Sequence, residues 1–275
     1  MTTDRTRRNL LRGFALAPFA ATGFGVAPRM AQAQAQAAGL ISPNACLLSA
    51  EVTEGPYYID PDLVRADITE GREGVPLEMK LQVVDASCNP IEGARVDIWH
   101  CDAAGNYSGY ANQGSDQTVD TTGETFLRGT QPTDARGIAT FQTIYPGWYR
   151  GRTTHIHYKV FLDENTLLTS QIFFPDALSE YLFKSVAPYN DRSAERDTVN
   201  SNDWIAQEAG DGAFAFIQEQ SARYVAALVV GVDPDARSDR ALNSGPAMEP
   251  QDGPPPEGAP GGQTAGSYRL VPGQG

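Results

Sequence analysis

Short segments in which apolar and polar residues alternate, with Gly, Pro, Asn or Asp between them, recur through the middle of this 275-residue chain. In "LEMKLQVVDAS" every second residue from Leu77 to Val83 is apolar, as in a strand with one buried face. Further segments of strand composition lie at 137–145, 154–162, 167–175 and 223–232. Several short strands separated by turns are typical of an all-β sandwich or barrel.

Two local patterns complete the predicted core. The turn "CNPIEGA" between "LEMKLQVVDAS" and "RVDIWHCD" predicts a β-hairpin. In "DALSEYLFKSV" (176–186) Leu178, Leu182 and Phe183 share one face of a helix, which predicts a short helix there. We therefore predict a β-sandwich core with short helices over residues 76–234.

The segments on either side of this core lack a sustained period. Residues 38–75 are rich in Pro, Gly and acidic residues, and we predict an N-terminal arm that wraps over a surface. Residues 235–275 are too rich in Pro and Gly and too poor in apolar residues to pack, so we predict a flexible tail.

Residues 1–37 resemble a twin-arginine export signal. They contain the pair Arg7 and Arg8, then an apolar run over 13–27, then alternating Ala and Gln that offers cleavage sites. The apolar run is too short to span a bilayer comfortably, so we expect export to the periplasm or the medium without a stable membrane anchor. We exclude these residues from the predicted fold.

The charge of the chain excludes two classes of partner. The chain has 34 acidic and 21 basic residues, and five of the basic residues lie within 1–37. The remainder is strongly acidic, which makes nucleic acid and anionic membranes poor partners.

Two of the three histidines lie on one predicted strand, in "THIHYKVFL". Side chains alternate along a strand, so His155 and His157 share a face and their imidazoles can converge on one metal ion. The alternative is a pair of surface or hydrogen-bonded histidines. The third histidine, His100, follows Trp99 in "RVDIWHCD", and we expect it to be structural. The remaining ligands would then be carboxylates, thiolates or phenolates.

Two tyrosines lie close to these strands in sequence. Tyr107 occurs in "WHCDAAGNYSGY" and Tyr149 in "YPGWYRGRTTHIH", six residues before His155. Each taken alone is more simply a core aromatic residue with its hydroxyl satisfied.

The motifs taken together carry more information than any one residue. "EGPYY", "VDIWHCDAAGNYSGY", "DARGIATFQTIYPGWYRGRTTHIHYKVF" and "TSQIFFPD" occur in this order between about Glu54 and about Pro234. In order and spacing they resemble the catalytic domain of the intradiol ring-cleavage dioxygenases, the family of the protocatechuate and catechol dioxygenases. The long helical amino-terminal region of catechol dioxygenases has no counterpart here, and the chain is more similar to a stand-alone, exported branch.

The resemblance implies that one non-haem Fe(III) is bound by Tyr107, Tyr149, His155 and His157. Tyr107 and His155 match the equatorial ligands of the family, and Tyr149 and His157 match the axial pair. Anionic phenolate oxygens are hard donors that stabilise ferric iron, which agrees with this metal. Four protein ligands also leave a position open for substrate.

The resemblance also implies a reaction and further site residues. A catechol would bind the iron with Tyr149 acting as a base, and O2 would cleave the ring between the hydroxyls to give a muconate-type diacid. Arg152 matches an arginine that stabilises the anionic ring, and Gln171 matches a glutamine that positions substrate. The alternative for Arg152 is a solvated loop charge.

Two further expectations depend on the placement of "EGPYY" near the substrate pocket. Pro56, Tyr57 and Tyr58 either line that pocket or form a packing strap. The three cysteines allow at most one internal disulfide, and this placement implies a bond between Cys46 and Cys101.

Two other functions are compatible with the sequence. The first is a non-enzymatic, exported β-sandwich binding module, because fold alone does not fix activity. The second is a zinc or copper hydrolase built on His155, His157 and His100. The identity of the catechol and the oligomeric state stay open, since no second basic cluster favours a carboxylated substrate.

Overall fold

The computed structural model describes residues 47–60, 63–114 and 117–238. These residues form two four-stranded sheets that share one apolar core, so the predicted all-β sandwich is confirmed. The strands are β1 (Pro76–Val84), β2 (Arg95–Trp99), β3 (Arg128–Pro132), β4 (Ile138–Ile144), β5 (His155–Leu162), β6 (Asn165–Phe173), β7 (Phe216–Glu219) and β8 (Tyr224–Gly231).

The strand order is β4-β1-β8-β7 in the first sheet and β3-β2-β5-β6 in the second. Strands β1 and β8 run parallel, and the other neighbours are antiparallel. The second sheet holds the strand with the two histidines, flanked by β2 and β6.

The predicted hairpin between β1 and β2 is wrong. The chain does reverse after β1, where Asp85 N donates to Asn89 O and Ile91 N donates to Val83 O. However, β1 is flanked by β4 and β8, whereas β2 is flanked by β3 and β5 in the other sheet. Turn residues predict a reversal, but the apolar faces of β1 and β2 are buried by packing across the sandwich, not by pairing side by side.

The predicted helix is confirmed as α1 (Asp176–Ser185), with Leu182 and Phe183 buried against the core. A second helix, α2 (Trp204–Ala209), and two 3-10 turns at Tyr189–Asp191 and Asp211–Ala213 were not predicted. Strands β3 and β7 were also missed, because "RGTQP" is polar and β7 is a four-residue edge strand with one mostly exposed face.

Alternation along β5 separates the core from the functional face. Ile156 and Tyr158 point between the sheets and are almost fully buried in the core. His155 and His157 therefore point to the outer face of the second sheet. They are also buried, because other segments of the chain cover that face.

The described part of the predicted arm adds isolated bridges to both sheets. Leu48 bridges to β8, Val64 to β3 and Asp67 to β4. The predicted signal at 1–37 and most of the predicted tail at 235–275 lie outside the described residues. Within the described ranges, no helix has the length and apolar character needed to cross a bilayer.

The expected bond between Cys46 and Cys101 is wrong. Cys101 is a free thiol buried beside Trp99 and Tyr107, whereas Cys88 is disulfide-bonded. Cys46 lies outside the described residues. Cys101 follows β2 directly and packs inside the aromatic cluster with Trp99 and Tyr107, where its thiol is buried and free.

Side chains on the inner face of β5 should contribute strongly to the free energy of unfolding, because they are buried in the apolar core. Ile156→Ala removes a fully buried core side chain, and we expect a loss of about 2–5 kcal/mol in the free energy of unfolding. Gln218→Ala, at an exposed site on β7, should change it by less than about 0.5 kcal/mol. Urea unfolding measures both, and a loss below about 1 kcal/mol for Ile156→Ala would contradict the assigned inner face.

Candidate metal centre and active site

The outer face of the second sheet carries a row of side chains from adjacent strands. Trp99 on β2 lies opposite His157 on β5, and His157 lies opposite Gln171 on β6. Residues directly opposite on neighbouring strands point to the same side of a sheet. The register therefore places these three side chains together on the face that His155 also occupies.

Four side-chain atoms converge at this face. The two histidine Nε2 atoms lie 3.1 Å apart, and Tyr107 Oη lies 3.3 Å from that of His155 and 3.1 Å from that of His157. Tyr149 Oη lies 3.1 Å from His155 Nε2 and 3.5 Å from Tyr107 Oη. The two tyrosines and two histidines suggested by the motifs thus share one point.

Burial governs the protonation of all four groups. Burial lowers the pKa of both histidines well below the ordinary value, and the nearby Arg152 cation adds to this effect. Burial likewise raises the pKa of Tyr107 and Tyr149 above the ordinary value, although Arg152 opposes this rise. Without a cation among them the histidines are therefore neutral and the phenols keep their protons.

The arrangement fits one metal ion. Donor atoms that bind one ion at about 2.0–2.1 Å lie about 3 Å from each other, close to the 3.1–3.5 Å separations seen here. His155 Nδ1 lies 2.7 Å from Thr153 O, a carbonyl that requires a donor, so the lone pair of this ring lies on Nε2. Two neutral nitrogens and two phenolic oxygens form a mixed, hard donor set suited to ferric iron.

Each histidine ring is held by a neighbour. The bond from His155 Nδ1 to Thr153 O fixes the first ring. The His157 ring stacks on Trp99, with centroids 4.9 Å apart and planes 11° apart. Gly55 in the arm passes close over the His157 ring with a φ of +73°, and an added Cβ would lie 3.2 Å from Cε1. Glycine suits both the backbone angle and the close approach.

Arg152 lies beside the four-atom cluster and is anchored on two sides. Its Nη1 is 3.5 Å from His155 Nε2, its Nη2 donates to Gln171 Oε1, and its Nε donates to Asp203 Oδ2 at 3.0 Å. Burial would lower the pKa of Arg152, but Tyr149 and Asp203 outweigh it and raise that pKa. The guanidinium is therefore a fixed positive charge at the edge of the cluster, not a solvated loop charge.

Gln171 is fully buried and both ends of its amide are engaged. Its Nε2 donates to Thr53 O of the arm at 2.9 Å, and its Oε1 accepts from Arg152. The side chain therefore links the arm to the guanidinium.

The "EGPYY" segment covers the cluster. The Tyr57 ring stacks on the Tyr107 ring with centroids 4.3 Å apart, and Tyr58 donates to Asp97 Oδ2 at 3.0 Å. Glu54 forms a salt bridge with Lys159, which lies on the same outer face of β5 as the histidines. Tyr57 thus contacts a residue of the four-atom cluster. Glu54 and Tyr58 bind the arm to the second sheet through Lys159 and Asp97.

His100 lies outside the cluster, as expected for a structural residue. Its Nδ1 lies 2.8 Å from Cys101 O and its Nε2 lies 2.7 Å from Thr143 Oγ1. Across the described ranges, no group of three or more His, Cys, Asp or Glu side chains could hold a metal ion. The three-histidine hydrolase site considered from the sequence therefore does not form.

Three contributors to the site were missed from the sequence, namely Trp99 as the platform for His157, the Thr153 carbonyl, and Asp203. An Asp before "WIAQEA" is a helix N-cap signal and could have predicted α2. Nothing local in the sequence links that Asp to Arg152, 51 residues earlier.

Comparison with known proteins identifies relatives of this chain. A family model described as dioxygenase matches residues 53–202, more than half of the chain. Catechol 1,2-dioxygenase of Acinetobacter baylyi is 28% identical over 203 residues, which cover 66% of this chain and 63% of that protein. The chain therefore spans less than two thirds of the length of this relative.

Two solved structures share the fold over nearly their whole length. An intradiol ring-cleavage dioxygenase from Tetranychus urticae is 38% identical with a TM-score of 0.64, covering 70% of this chain and 98% of that one. The dioxygenase domain of a dioxygenase and carbohydrate-binding fusion from Streptomyces sp. SirexAA-E is 26% identical with a TM-score of 0.50, covering 68% and 99%.

The buried salt bridge between Glu54 and Lys159 gives a test of how the arm is held. Lys159→Met leaves the Glu54 carboxylate buried without its partner, and we expect a loss of about 3–5 kcal/mol in the free energy of unfolding. Adding Glu54→Gln should recover part of that loss, because no unpaired charge remains.

Denaturant unfolding of the two variants provides the measurement. Arg136→Met, which breaks an exposed ion pair with Asp134, serves as control and should cost less than about 1 kcal/mol. A double variant that is less stable than Lys159→Met alone would show that the pair does not hold the arm.

Proposed function

Because the chain belongs to the intradiol ring-cleavage dioxygenase family, we propose that it cleaves catechol-type rings between their two hydroxyls. The proposal includes Fe(III) as cofactor, O2 as co-substrate and a muconate-type diacid as product. Both oxygen atoms of O2 enter the product, and no external reductant is required. The catecholic substrate class is supported by the names of the relatives, and the individual substrate is left to experiment.

The observation that carries this proposal is the convergence of two phenol oxygens and two imidazole nitrogens at one buried point. Tyr107, Tyr149, His155 and His157 would hold the iron. When bound, the ferric ion would draw electron density from a chelated diol and make its ring reactive toward O2.

Tyr149 is suited to take a proton from the substrate. It is partly exposed, whereas Tyr107 is 1% exposed, so Tyr149 is the more accessible of the two phenols to an incoming diol. A phenolate at Tyr149 Oη can accept a hydroxyl proton of the diol, and burial favours the protonated phenol that results.

Arg152 is suited to stabilise the anionic ring. Its guanidinium is fixed beside the cluster with one nitrogen facing His155 Nε2. A positive charge held there in advance lowers the energy of negative charge that develops on the substrate, and does so strongly because the surroundings are buried. Gln171 contributes by holding the guanidinium and by tying the arm to it.

The proposed cellular setting is outside the cytoplasm. The twin-arginine-like segment at 1–37 supports export, and a folded, iron-loaded protein suits that route. Cell fractionation of a tagged full chain would test it, with retention in the cytoplasm as the contradicting outcome.

Iron-loaded protein should consume O2 in the presence of a catechol and show broad visible absorption from tyrosinate bound to Fe(III). We expect one O2 consumed per diol and an ultraviolet product spectrum of a muconate-type diacid. A panel of catechol, hydroxyquinol and protocatechuate, measured with an oxygen electrode, identifies the preferred diol.

Removal of iron with a chelator should abolish both the absorption and the activity, and Fe(III) should restore them. Protein that is fully loaded with iron but colourless, or that turns over none of the diols, would favour a non-enzymatic binding module instead.

Arg152→Ala should retain iron and visible absorption but lower kcat by about 100- to 1000-fold, the usual effect of removing one preorganised transition-state donor. Arg150→Ala is the matched control, because Arg150 is an exposed neighbour on the same loop, and its activity should be unchanged. Steady-state kinetics with iron quantified in each sample provides the measurement. Equal activity of the two variants would remove Arg152 from the mechanism.

A further inference from the structure

We infer that Asp203 is a positioning residue that aims the Arg152 guanidinium at the four-atom cluster. The geometric part of this inference is independent of the reaction, and only its catalytic consequence rests on the proposed function. Asp203 lies one residue beyond the stretch matched by the family model, which ends at residue 202.

The two oxygens of the Asp203 carboxylate have separate partners. Oδ1 accepts from Ile205 N and Ala206 N at 2.9 and 3.2 Å and so caps the start of α2. Oδ2 accepts from Arg152 Nε at 3.0 Å and from Thr153 N at 2.9 Å. The side chain is fully buried, so water does not compete for these bonds. One carboxylate therefore joins the rigid end of a helix to the Arg152 loop.

The segment before α2 holds the same loop at two further points. Gly151 N donates to Asp197 Oδ1 at 3.1 Å, and Thr153 Oγ1 donates to Asn200 Oδ1 at 2.9 Å. Each of residues 151–153 is thus hydrogen-bonded to a residue of the segment 197–203. Within that segment, Asp203 is the residue that bonds to the Arg152 guanidinium.

The anchoring of Arg152 determines which of its nitrogens faces the cluster. Nε is held by Asp203 and Nη2 by Gln171, so the planar guanidinium can present only Nη1 toward His155 Nε2. A long arginine side chain loses much rotamer freedom when it is fixed in one orientation. Asp203 and Gln171, which lie on different segments, hold the side chain in place before substrate binds. Catalysis by a preorganised charge requires such a fixed position.

The substitution Asp203→Ser separates the two tasks of this residue. Serine is as good a helix N-cap as aspartate, but its single, shorter oxygen cannot also reach Arg152 Nε. Asp203→Asn is the second variant, because its amide can keep the cap while it places a donor group opposite the Nε–H of Arg152. Gln207→Gly is the control, since it weakens α2 from an exposed position without touching Arg152.

The first readout is the exchange of the Arg152 Nε proton with water. It is measured by nitrogen-15 NMR on the full chain loaded with gallium(III), a diamagnetic ion of the same charge as Fe(III), and assigned by its loss in Arg152→Lys. We expect slow exchange in the parent and in Gln207→Gly, and exchange at least about 10-fold faster in Asp203→Ser and Asp203→Asn. Equal protection in the parent and both Asp203 variants would overturn the inference.

The second readout is a double-mutant cycle on the iron-loaded enzyme. Asp203→Ser should lower kcat/KM by about 10- to 100-fold, mainly through kcat, with iron retained. In an Arg152→Ala background the same change should have less than about a 3-fold effect. A similar loss in both backgrounds would show that Asp203 acts on the fold and not through Arg152.

The two readouts distinguish failure of this inference from failure of the proposed function. If no diol is turned over by the parent enzyme, the function fails, yet the proton exchange still decides whether Asp203 fixes Arg152. If the parent is active and the exchange rates are unchanged, only the inference fails.

Discussion

The protein buries two phenol oxygens and two imidazole nitrogens around one point, with Tyr107 Oη and His155 Nε2 each 3.1–3.5 Å from the other three atoms. Burying such polar groups together is costly unless a cation shares them. Arg152 supplies one positive charge at the edge of this cluster, but its guanidinium lies outside the four atoms. A trivalent ion among the four donors would relieve the remaining cost and convert both phenols to phenolates. The surrounding structure is best understood as the means of holding these four atoms in place.

The two faces of the second sheet have different roles in this protein. The inner face of β5 contributes to a conventional apolar core, and the outer face carries the histidines. An outer sheet face is normally solvated, so the protein covers this one with the arm and with the loops that carry Tyr107 and Tyr149. The salt bridge between Glu54 and Lys159 fastens the arm where it crosses the strand.

Errors of prediction in this chain have a common physical origin. The residues after β1 predict the turn correctly but not the strand partners of β1, because pairing depends on which apolar faces meet across the core. The placement of "EGPYY" near the site implies a disulfide at Cys101, yet the arm and the neighbouring aromatic rings bury this cysteine as a free thiol. In both cases a local signal was correct and the distant partner was wrong.

The sequence is enough to predict most strands and the alternation that puts His155 and His157 on one face, and its resemblance to a known family adds Tyr107 and Tyr149. These depend on a two-residue period or on motif spacing, which are local properties of the chain. The sheet order, the stacking of His157 on Trp99 and the contact between Arg152 and Asp203 became visible only in the folded structure. Such contacts join residues about 50 positions apart, and their geometry exists only once the core has packed.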